Sequence, residues 1–389
     1  MEKKPNRLLS LDIMRGITIA GMILVNNAGS WGHIYKPLSH AEWNGLTPTD
    51  LVFPFFMFIM GVSTYLSLRR WDFKPCREAI IKIVRRTVVI FAIGLFVAWF
   101  ALWLRGIRNG DAVLDAACNF SEIRILGVFP RLAICYGVGA LIAIFVRHRR
   151  LPWVIFGMLV VYAIILLTGN GYSYSTDNII SIVDHAVLGP SHMYTSHYDG
   201  ESFKFDPEGL LSTLPSIAHM LIGLWCGMKM MQTRDNYRRA LQFLLVGGVL
   251  TMAGFLFSYG MPINKKIWSP TFVLTTCGLA ATLLGLLIWI IDIKGYRRWT
   301  PFFHAFGVNA LATYLFATIL SIIIGFIRVP YSATESGVIT LKGWIVKAVM
   351  EPVAGGDLTL ASCLFAIFFV LVNWIFAYIL YTKKIYIKI

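Results

Sequence analysis

Ten separate apolar runs, each long enough to cross a lipid bilayer, constrain this sequence more than any other feature. They lie near residues 12–30, 48–68, 80–104, 124–146, 152–169, 210–230, 240–260, 270–292, 302–327 and 361–382. A helix of about 20 residues spans the hydrocarbon core at 1.5 Å per residue. Only 14% of the residues are charged, against about a quarter in soluble domains. The sequence therefore predicts an all-α, polytopic membrane helix bundle of about ten transmembrane helices, forming a single domain over residues 1–389.

The distribution of basic residues predicts the orientation of these helices. The formal net charge is +15, and Lys and Arg cluster in alternate connections that begin with the N-terminus and end with the C-terminus. The positive-inside rule then places both termini in the cytoplasm, and it makes the connections 31–47, 170–209 and 328–360 periplasmic. No basic stripe alternates with aromatic residues, so we expect no nucleic-acid partner. The first apolar run is predicted to be a retained helix, because no small-residue cleavage site follows it.

Cysteine and histidine spacing gives no sign of a metal site. No two cysteines form a CxxC pair, and His185, His192 and His197 lack ligand spacing on any one helix. We predict no disulfide framework and no metal.

Five ionisable residues lie inside or at the edge of apolar runs, where charge is costly and usually functional. They are Asp12, Arg15, Asp50, Arg124 and Arg131. Asp12 and Arg15 are three residues apart, so they share a helix face and can pair. This pair is either a structural lock between helices or part of a site.

The stretch HAEWNGLTPTD carries the densest signal. It places His40, Trp43 and Asn44 at the outer mouth of the second helix. Thr47 is a predicted N-cap, and Asp50 falls in the first turn, where the helix dipole stabilises a carboxylate. Taken alone, Asp50 is explained by a good helix start, and His40 by an ordinary loop histidine.

Three further polar residues have two interpretations each. Asn26 near the outer end of the first helix either bonds to another helix or donates to a developing oxyanion. Arg124 and Arg131 lie seven residues apart on one predicted face, with too few acidic residues at that depth to pair with both. They are predicted to hold a phosphate-bearing ligand. The alternative is pairing with Asp12, Asp50 or backbone carbonyls.

Two other outer connections carry candidate polar groups. Asp206 and Glu208 precede the apolar run 210–230, and we predict that they cap its helix, with contact to a substrate as the alternative. The motif INKKIWS places Asn264, Lys265 and Trp268 on another outer connection.

A series of motifs gives the sequence a family resemblance. In chain order they are SLDIMRG (10–16), HAEWNGLTPTDLVFPFFMFIMG (40–61), RILGVFPRL (124–132), DPEGLLSTLPSI (206–217), NKKIWSPTFVL (264–274) and GVNALATY (307–314). With these motifs the chain resembles the heparan-α-glucosaminide N-acetyltransferase family and its bacterial homologues, within a wider set of transmembrane acyltransferases.

The resemblance implies a function. It implies transfer of an acetyl group from cytosolic acetyl-CoA to the amine of a glucosamine-type sugar at the periplasmic face of a bacterial inner membrane. It further implies that His40 is essential for transfer, that Asn26 lies beside it, and that Arg131 belongs to the cofactor-binding region. Because imidazole titrates near neutrality, His40 suits a general base, with a covalent acetyl-histidine as the alternative.

The predicted site combines the motifs with this resemblance. The catalytic group is His40, Asn26 and Asp50; the cofactor-binding group is Arg131, Arg124 and Arg15; the substrate-binding group is Trp43, Asn44, Asp206, Glu208, Asn264 and Lys265. The predicted partners are acetyl-CoA as acyl donor, an amino-sugar or glycan acceptor and the lipid bilayer, with a homodimer left open.

The chain departs from the family in two ways. Lysosomal members carry a luminal domain before the first helix, where this chain has only a short segment. The loop between Asn26 and His40 is also longer. Two other functions stay open: an O-acyltransferase of an envelope glycan, and a secondary transporter, which the absence of a clear inverted repeat disfavours.

Overall fold

The computed structural model describes residues 8–198, 200–332 and 337–387, and it contains helix at all ten predicted apolar runs. The helices are α1 (Leu9–Val25), α2 (Pro48–Leu68), α3 (Arg77–Asn109), α4 (Val113–Cys118), α5 (Val128–Phe145), α6 (Leu151–Thr168), α7 (Ile179–Leu188), α8 (Thr213–Gln232), α9 (Asn236–Phe257), α10 (Pro270–Leu287), α11 (Thr300–Val308), α12 (Ala310–Phe326), α13 (Leu341–Trp344), α14 (Glu351–Val353) and α15 (Leu358–Thr382). A π-helical segment, Ile288–Ile293, extends α10, and another, Ile345–Met350, joins α13 to α14.

Two short antiparallel hairpins lie outside the helices, so the all-α prediction was incomplete. One pairs β1 (Thr195–Tyr198) with β2 (Glu201–Lys204), and the other pairs β3 (Arg328–Pro330) with β4 (Val338–Thr340). The first hairpin and α7 fill the connection 170–209, which the sequence analysis treated only as a long polar stretch.

The prediction of a helical membrane bundle is confirmed. Seven helices of the described residues are long and apolar enough to cross a membrane, or eight if α11 and α12 count as one span. The predicted total of about ten and the side on which the termini lie stay predictions.

One predicted span is not a continuous helix. The run 302–327 divides into α11 and α12, which are bent by 85°. The break falls at Asn309, whose backbone leaves helical geometry at φ −120° and ψ 43°. Its side chain donates to Ile385 O at 2.8 Å and accepts from the Ile387 N–H at 2.9 Å. The kink is therefore stabilised by pairing with the C-terminal segment, which local hydropathy does not reveal.

Glycines allow the central helices to approach closely. A Cβ on Gly61 of α2 would lie 2.1 Å from Met220 O, and one on Gly223 of α8 would lie 2.2 Å from Phe58 O. Larger residues at these positions would force the two helices apart. The crossing of α2 and α8 places the N-terminal end of α2 near the connection that precedes α8.

The start of α2 follows the predicted local chemistry. Pro48 is its first residue, Thr47 precedes it, and the Thr47 N–H donates to Asp50 Oδ2 at 3.1 Å. The predicted helix start is confirmed, and it fixes the Asp50 carboxylate in the first turn of α2, at the N-terminal end of the helix.

Candidate functional site

A cavity of about 820 Å³ opens where the N-terminal end of α2 meets the connections before α5, α8 and α10. We call it the histidine cavity. It is lined by His40, Ala41, Glu42, Asp50, Arg124, Tyr174, Tyr194, Ser196, His197, Pro207, Glu208, Lys265, Lys266 and Trp268. Segments that are far apart in sequence thus converge on one site.

His40 and Asp50 form the reactive pair of this cavity. His40 Nδ1 lies 2.7 Å from Asp50 Oδ1, and the Asp50 side chain is 1% exposed. Asp50 Oδ2 accepts from the N–H groups of Ala41 and Thr47, both at 3.1 Å. In the tautomer that carries its proton on Nδ1, the imidazole donates to the Asp50 carboxylate, which can only accept. Nε2 then carries the lone pair, as a general base requires.

Lys265 stands beside this pair. Its Nζ lies 3.0 Å from His40 Nδ1 and 3.4 Å from Asp50 Oδ1. Burial lowers the pKa of Lys265, while the charges of Asp50 and Glu208 oppose that shift. Two basic groups therefore face one carboxylate oxygen.

Arg124 forms a fork in the wall of the cavity. Its Nε and Nη2 donate to the two carboxylate oxygens of Asp206 at 2.9 and 2.5 Å, and Nη2 also donates to Glu208 Oε2 at 2.6 Å. Burial disfavours the charged form of Arg124, but Glu208 and Asp206 outweigh burial and raise its pKa. The prediction that acidic residues are too few to pair with both Arg124 and Arg131 was wrong for Arg124, since its two partners come from a connection 82 and 84 residues later.

The same contacts overturn the predicted helix caps. Asp206 accepts from the Glu208 and Tyr194 N–H groups as well as from Arg124. Ser212, not either acidic residue, stands at the N-cap of α8. Asp206 and Glu208 therefore brace the cavity wall instead of capping the helix.

Arg131 lies fully buried beneath this wall. Its Nη2 donates to Gly209 O and Ser212 Oγ, whereas Nε and Nη1 have no hydrogen-bond partner among the described residues. The guanidinium carbon lies 5.2 Å from the ring centroid of Trp268. A buried donor without a partner is costly, so these N–H groups are candidates to bind a ligand.

Trp268 closes the floor of the histidine cavity. Its backbone has φ +53°, which a bulky residue rarely adopts, and its indole N–H is buried without a partner among the described residues. Its ring packs edge-on against Phe53 of α2, with centroids 5.5 Å apart. The sequence analysis placed Trp268 on an outer connection but gave it no role.

Asn26 has a hydrogen-bond partner in α12. It donates to Tyr314 Oη at 3.3 Å and does not line the histidine cavity. The segment that follows it turns towards α15, where the Gly29 N–H bonds to Ser362 O at 3.2 Å. The catalytic role of Asn26 stays a prediction without support from its position.

Several predicted substrate-binding residues build the walls of the cavity. Trp43 donates to Tyr172 O at 2.7 Å and stacks on Tyr174 with ring centroids 4.2 Å apart. Asn264 donates to Asn44 Oδ1 at 3.1 Å, which links two connections. Of the six predicted residues, only Glu208 and Lys265 line the cavity itself.

A second cavity of about 600 Å³ lies between α1, α2, α3 and the α11–α12 break. We call it the arginine cavity. It is lined by Arg15, Phe56, Ile59, Met60, Ser63, Lys82, Arg85, Arg86, Val89, Ile90, Leu132, Gly307, Val308, Asn309, Ala310, Leu311 and Ile387. None of these residues is acidic, so the cavity favours anions.

The predicted Asp12–Arg15 pair is confirmed at the edge of this cavity. Arg15 donates to Asp12 Oδ1 at 2.9 Å and to Ser63 Oγ at 2.8 Å. Lys82, Arg85 and Arg86 were not predicted as site residues, because the sequence analysis used basic residues near the ends of apolar runs only to predict orientation. Their i, i+3, i+4 spacing on one face of α3 was the signal that could have identified them.

The two cavities are close together along α2. Asp50 lines the histidine cavity and Phe56 lines the arginine cavity. Six residues of helix correspond to about 9 Å. Phe53 lies between these two positions on α2, in a layer with the Trp268 ring that packs against it.

Comparison with known proteins yields one family model and two relatives that bear on the site. A family model described as a domain of unknown function (DUF5009) matches residues 7–132. The chain is 28% identical to heparan-alpha-glucosaminide N-acetyltransferase of Mus musculus and 27% identical to that of Homo sapiens, over 80% of this chain in both cases. The resemblance carried by the motifs is confirmed.

These alignments cover 53% of the mouse protein and 52% of the human protein. The chain thus spans about half the length of the curated relatives it matches. The range of the family model includes His40, Glu42, Asp50 and Arg124 of the histidine cavity, whereas the lining residues from Tyr174 onwards lie outside it.

Proposed function

We propose that this protein is a transmembrane N-acetyltransferase that moves an acetyl group from acetyl-CoA to the amine of a glucosamine-type sugar. The observation that carries the proposal is the oriented His40–Asp50 pair in one cavity, with a cation-lined cavity about 9 Å away along the same helix. The names of the mouse and human relatives support the reaction class.

The arginine cavity suits the donor. Coenzyme A carries several phosphate charges, and Arg forks match phosphate oxygens. Arg15, Lys82, Arg85 and Arg86 line this cavity, and Arg86 Nε is buried without a partner among the described residues. The predicted topology places this end of the bundle in the cytoplasm of a bacterial inner membrane, where acetyl-CoA is made.

The histidine cavity suits the acceptor. Tyr174 and Tyr194 present aromatic surface, and Glu42 and Glu208 supply carboxylates for the amine and hydroxyl groups of a sugar. In the predicted topology this cavity opens to the periplasm.

The reaction then follows from the geometry. Nε2 of His40 takes a proton from the acceptor amine as its nitrogen attacks the thioester carbonyl carbon. The tetrahedral intermediate collapses, the C–S bond breaks, and the imidazolium returns the proton to the CoA thiolate. The Asp50 carboxylate holds the imidazole in the required tautomer throughout.

The thioester has to reach the amine through the layer between the cavities. The unpartnered N–H groups of Arg131 and Trp268 lie in this layer, and we assign them as donors to the carbonyl oxygen as negative charge develops there. In this assignment Arg131 donates to the acyl group of acetyl-CoA and Arg15 binds its phosphates. Arg124 only stabilises the wall of the histidine cavity.

A transfer assay on the purified full-length protein tests the proposal. Labelled acetyl-CoA is supplied with a panel of glucosamine-type acceptors, and products are identified by mass and by treatment with hydroxylamine. An amide product that resists hydroxylamine is expected. A labile ester would indicate the O-acyltransferase, and absence of both acetyl-CoA binding and transfer would rule the proposal out.

The same assay without acceptor separates the two mechanisms. Direct transfer predicts no stable label on the protein, whereas label retained on His40 would show the covalent route. The homodimer that the sequence analysis left open does not enter this mechanism.

A further inference from the structure

The contact between Lys265 and His40 has no role in the proton transfer described so far. We propose that Lys265 is a positioning residue that keeps the His40 imidazole neutral, and so available as a base, by sharing Asp50 Oδ1 with it. This inference rests on the proposed function, since it concerns the base of that reaction.

Three atoms form a tight triangle. His40 Nδ1 lies 2.7 Å from Asp50 Oδ1, Lys265 Nζ lies 3.4 Å from the same oxygen, and the two nitrogens are 3.0 Å apart. The other oxygen of Asp50 already accepts two backbone N–H groups and has the Thr47 hydroxyl 2.9 Å away. The carboxylate therefore has one oxygen for two basic groups.

Within this arrangement the Lys265 ammonium opposes a second positive charge on the imidazole. An imidazolium would place its positive charge 3.0 Å from the Lys265 ammonium, and Asp50 is the one described carboxylate in contact with both groups. The Lys265 side chain is 18% exposed, so water screens the repulsion only in part. The proton taken from the amine is consequently passed on to the thiolate instead of staying on His40.

Other charges surround the pair at greater distance. The other titratable or charged side chains that line the same cavity are Glu42, Arg124, Tyr174, Tyr194, His197, Glu208 and Lys266. Arg124 and Glu208 are paired with each other at 2.6 Å, and His197 Nδ1 lies 2.7 Å from Ser202 Oγ. Lys265 is the one of the described cations that contacts both members of the pair.

Lys266 provides a matched control. It lines the same cavity, but its Nζ donates to Tyr174 Oη at 2.9 Å and lies 4.3 Å from the centre of that ring. Replacing it removes the same charge from the same cavity without changing the triangle.

The test is the pH dependence of kcat/KM for the wild type, Lys265→Met, Lys265→Arg and Lys266→Met. Protonation of His40 produces the acid limb of this profile. In Lys265→Met the midpoint of the acid limb is expected to move about one pH unit upwards, since a cation in contact with the imidazole is lost. At pH values below the limb the rate falls about tenfold relative to the wild type, and above it the two rates converge. Lys265→Arg and Lys266→Met are expected to keep the wild-type limb. A loss that is equal at all pH values, or an equal shift in Lys266→Met, would overturn the inference.

A second readout does not need turnover. Diethyl pyrocarbonate modifies neutral imidazole, and peptide mass spectrometry gives the rate at His40 alone. The midpoint of this rate against pH is expected to rise in Lys265→Met by the same amount as the kinetic limb. A shifted midpoint in a protein that transfers no acetyl group would refute the proposed function but keep the inference. An unshifted midpoint in an active enzyme would refute the inference alone.

Discussion

The two cavities differ in how their charges are balanced. The histidine cavity sets acids against bases: Glu42, Asp50 and Glu208 lie among Arg124, Lys265 and Lys266. Of the described residues that line the arginine cavity, four are basic and none is acidic. Paired charges hold a proton-transfer group in place, whereas an excess of cations attracts an anion. We therefore assign the proton-transfer chemistry to the histidine cavity and acetyl-CoA binding to the arginine cavity. The variants described next test this assignment.

The largest expected effect is a loss of kcat in a variant of His40, with no change in acetyl-CoA binding. His40→Ala removes the base, so kcat should fall about 10³-fold, within the range that general-base catalysis supplies. The dissociation constant of acetyl-CoA should not change, because its phosphates bind in the arginine cavity. Calorimetric titration with acetyl-CoA and a single-turnover assay measure the two quantities separately.

His197→Ala is the control for this variant. It lines the same cavity but bonds to Ser202 instead of Asp50, so kcat should change far less. If His40→Ala weakened acetyl-CoA binding as well as lowering kcat, catalysis and donor binding would not be separated between the two cavities.

The reverse effect is expected in the arginine cavity. Combining Arg85→Ala with Arg86→Ala should weaken acetyl-CoA binding about tenfold to 100-fold, because hydrogen bonds to charged groups contribute roughly 1.5–3 kcal/mol. The KM of the sugar acceptor should stay the same, and the remaining binding should depend less on salt.

Arg149→Ala with Arg150→Ala is the matched control for this pair. Both residues lie in the 3₁₀ turn before α6, on the same predicted side of the membrane but outside the cavity. If the control weakened binding equally, general surface charge would explain the effect and the cavity would not be the donor site.

The smallest effect concerns the support behind the histidine cavity. Asp184 of α7 is fully buried, and its Oδ1 accepts from the Leu210 and Leu211 N–H groups next to Glu208. Burial raises the pKa of Asp184 to about 6, although the two N–H groups oppose the shift. Since the folded-state pKa exceeds the usual value of 3.8, ionisation destabilises the fold, and stability is lost as the pH rises from about 4 through 6.

Asp184→Asn should remove this pH dependence. Below pH 4 the variant and the wild type should unfold at similar temperatures, and above pH 6 the variant should gain a few degrees relative to the wild type. Thermal unfolding in detergent across this pH range measures the difference. Parallel curves for the two proteins would show that Asp184 does not titrate in this interval.

Local sequence predicted local structure well. The apolar runs gave the helices, and the Asp12–Arg15 and Thr47–Asp50 pairs were predictable because their members lie within one helical turn. The break at Asn309 was not predictable, because its stabilising partners come from the C-terminal segment.

The candidate site was only partly predictable, since its defining contacts are distant in sequence. Lys265 and His40 are 225 residues apart, and no periodicity connects them. His40, Asp50 and Arg15 were identified from motifs and membrane depth. Arg85 and Arg86 were missed because charged residues at the end of an apolar run usually mark a loop, whereas α3 continues through them.

Transfer across sealed vesicles of one orientation tests the central claim most directly. The full-length protein is reconstituted, and its orientation is fixed by selective labelling of one terminus. Labelled acetyl-CoA and a glucosamine-type acceptor are then supplied in all four combinations of sides. Product is expected only with acetyl-CoA on the side of the arginine cavity and acceptor on the side of the histidine cavity. Equal transfer with both substrates on one side would contradict the account.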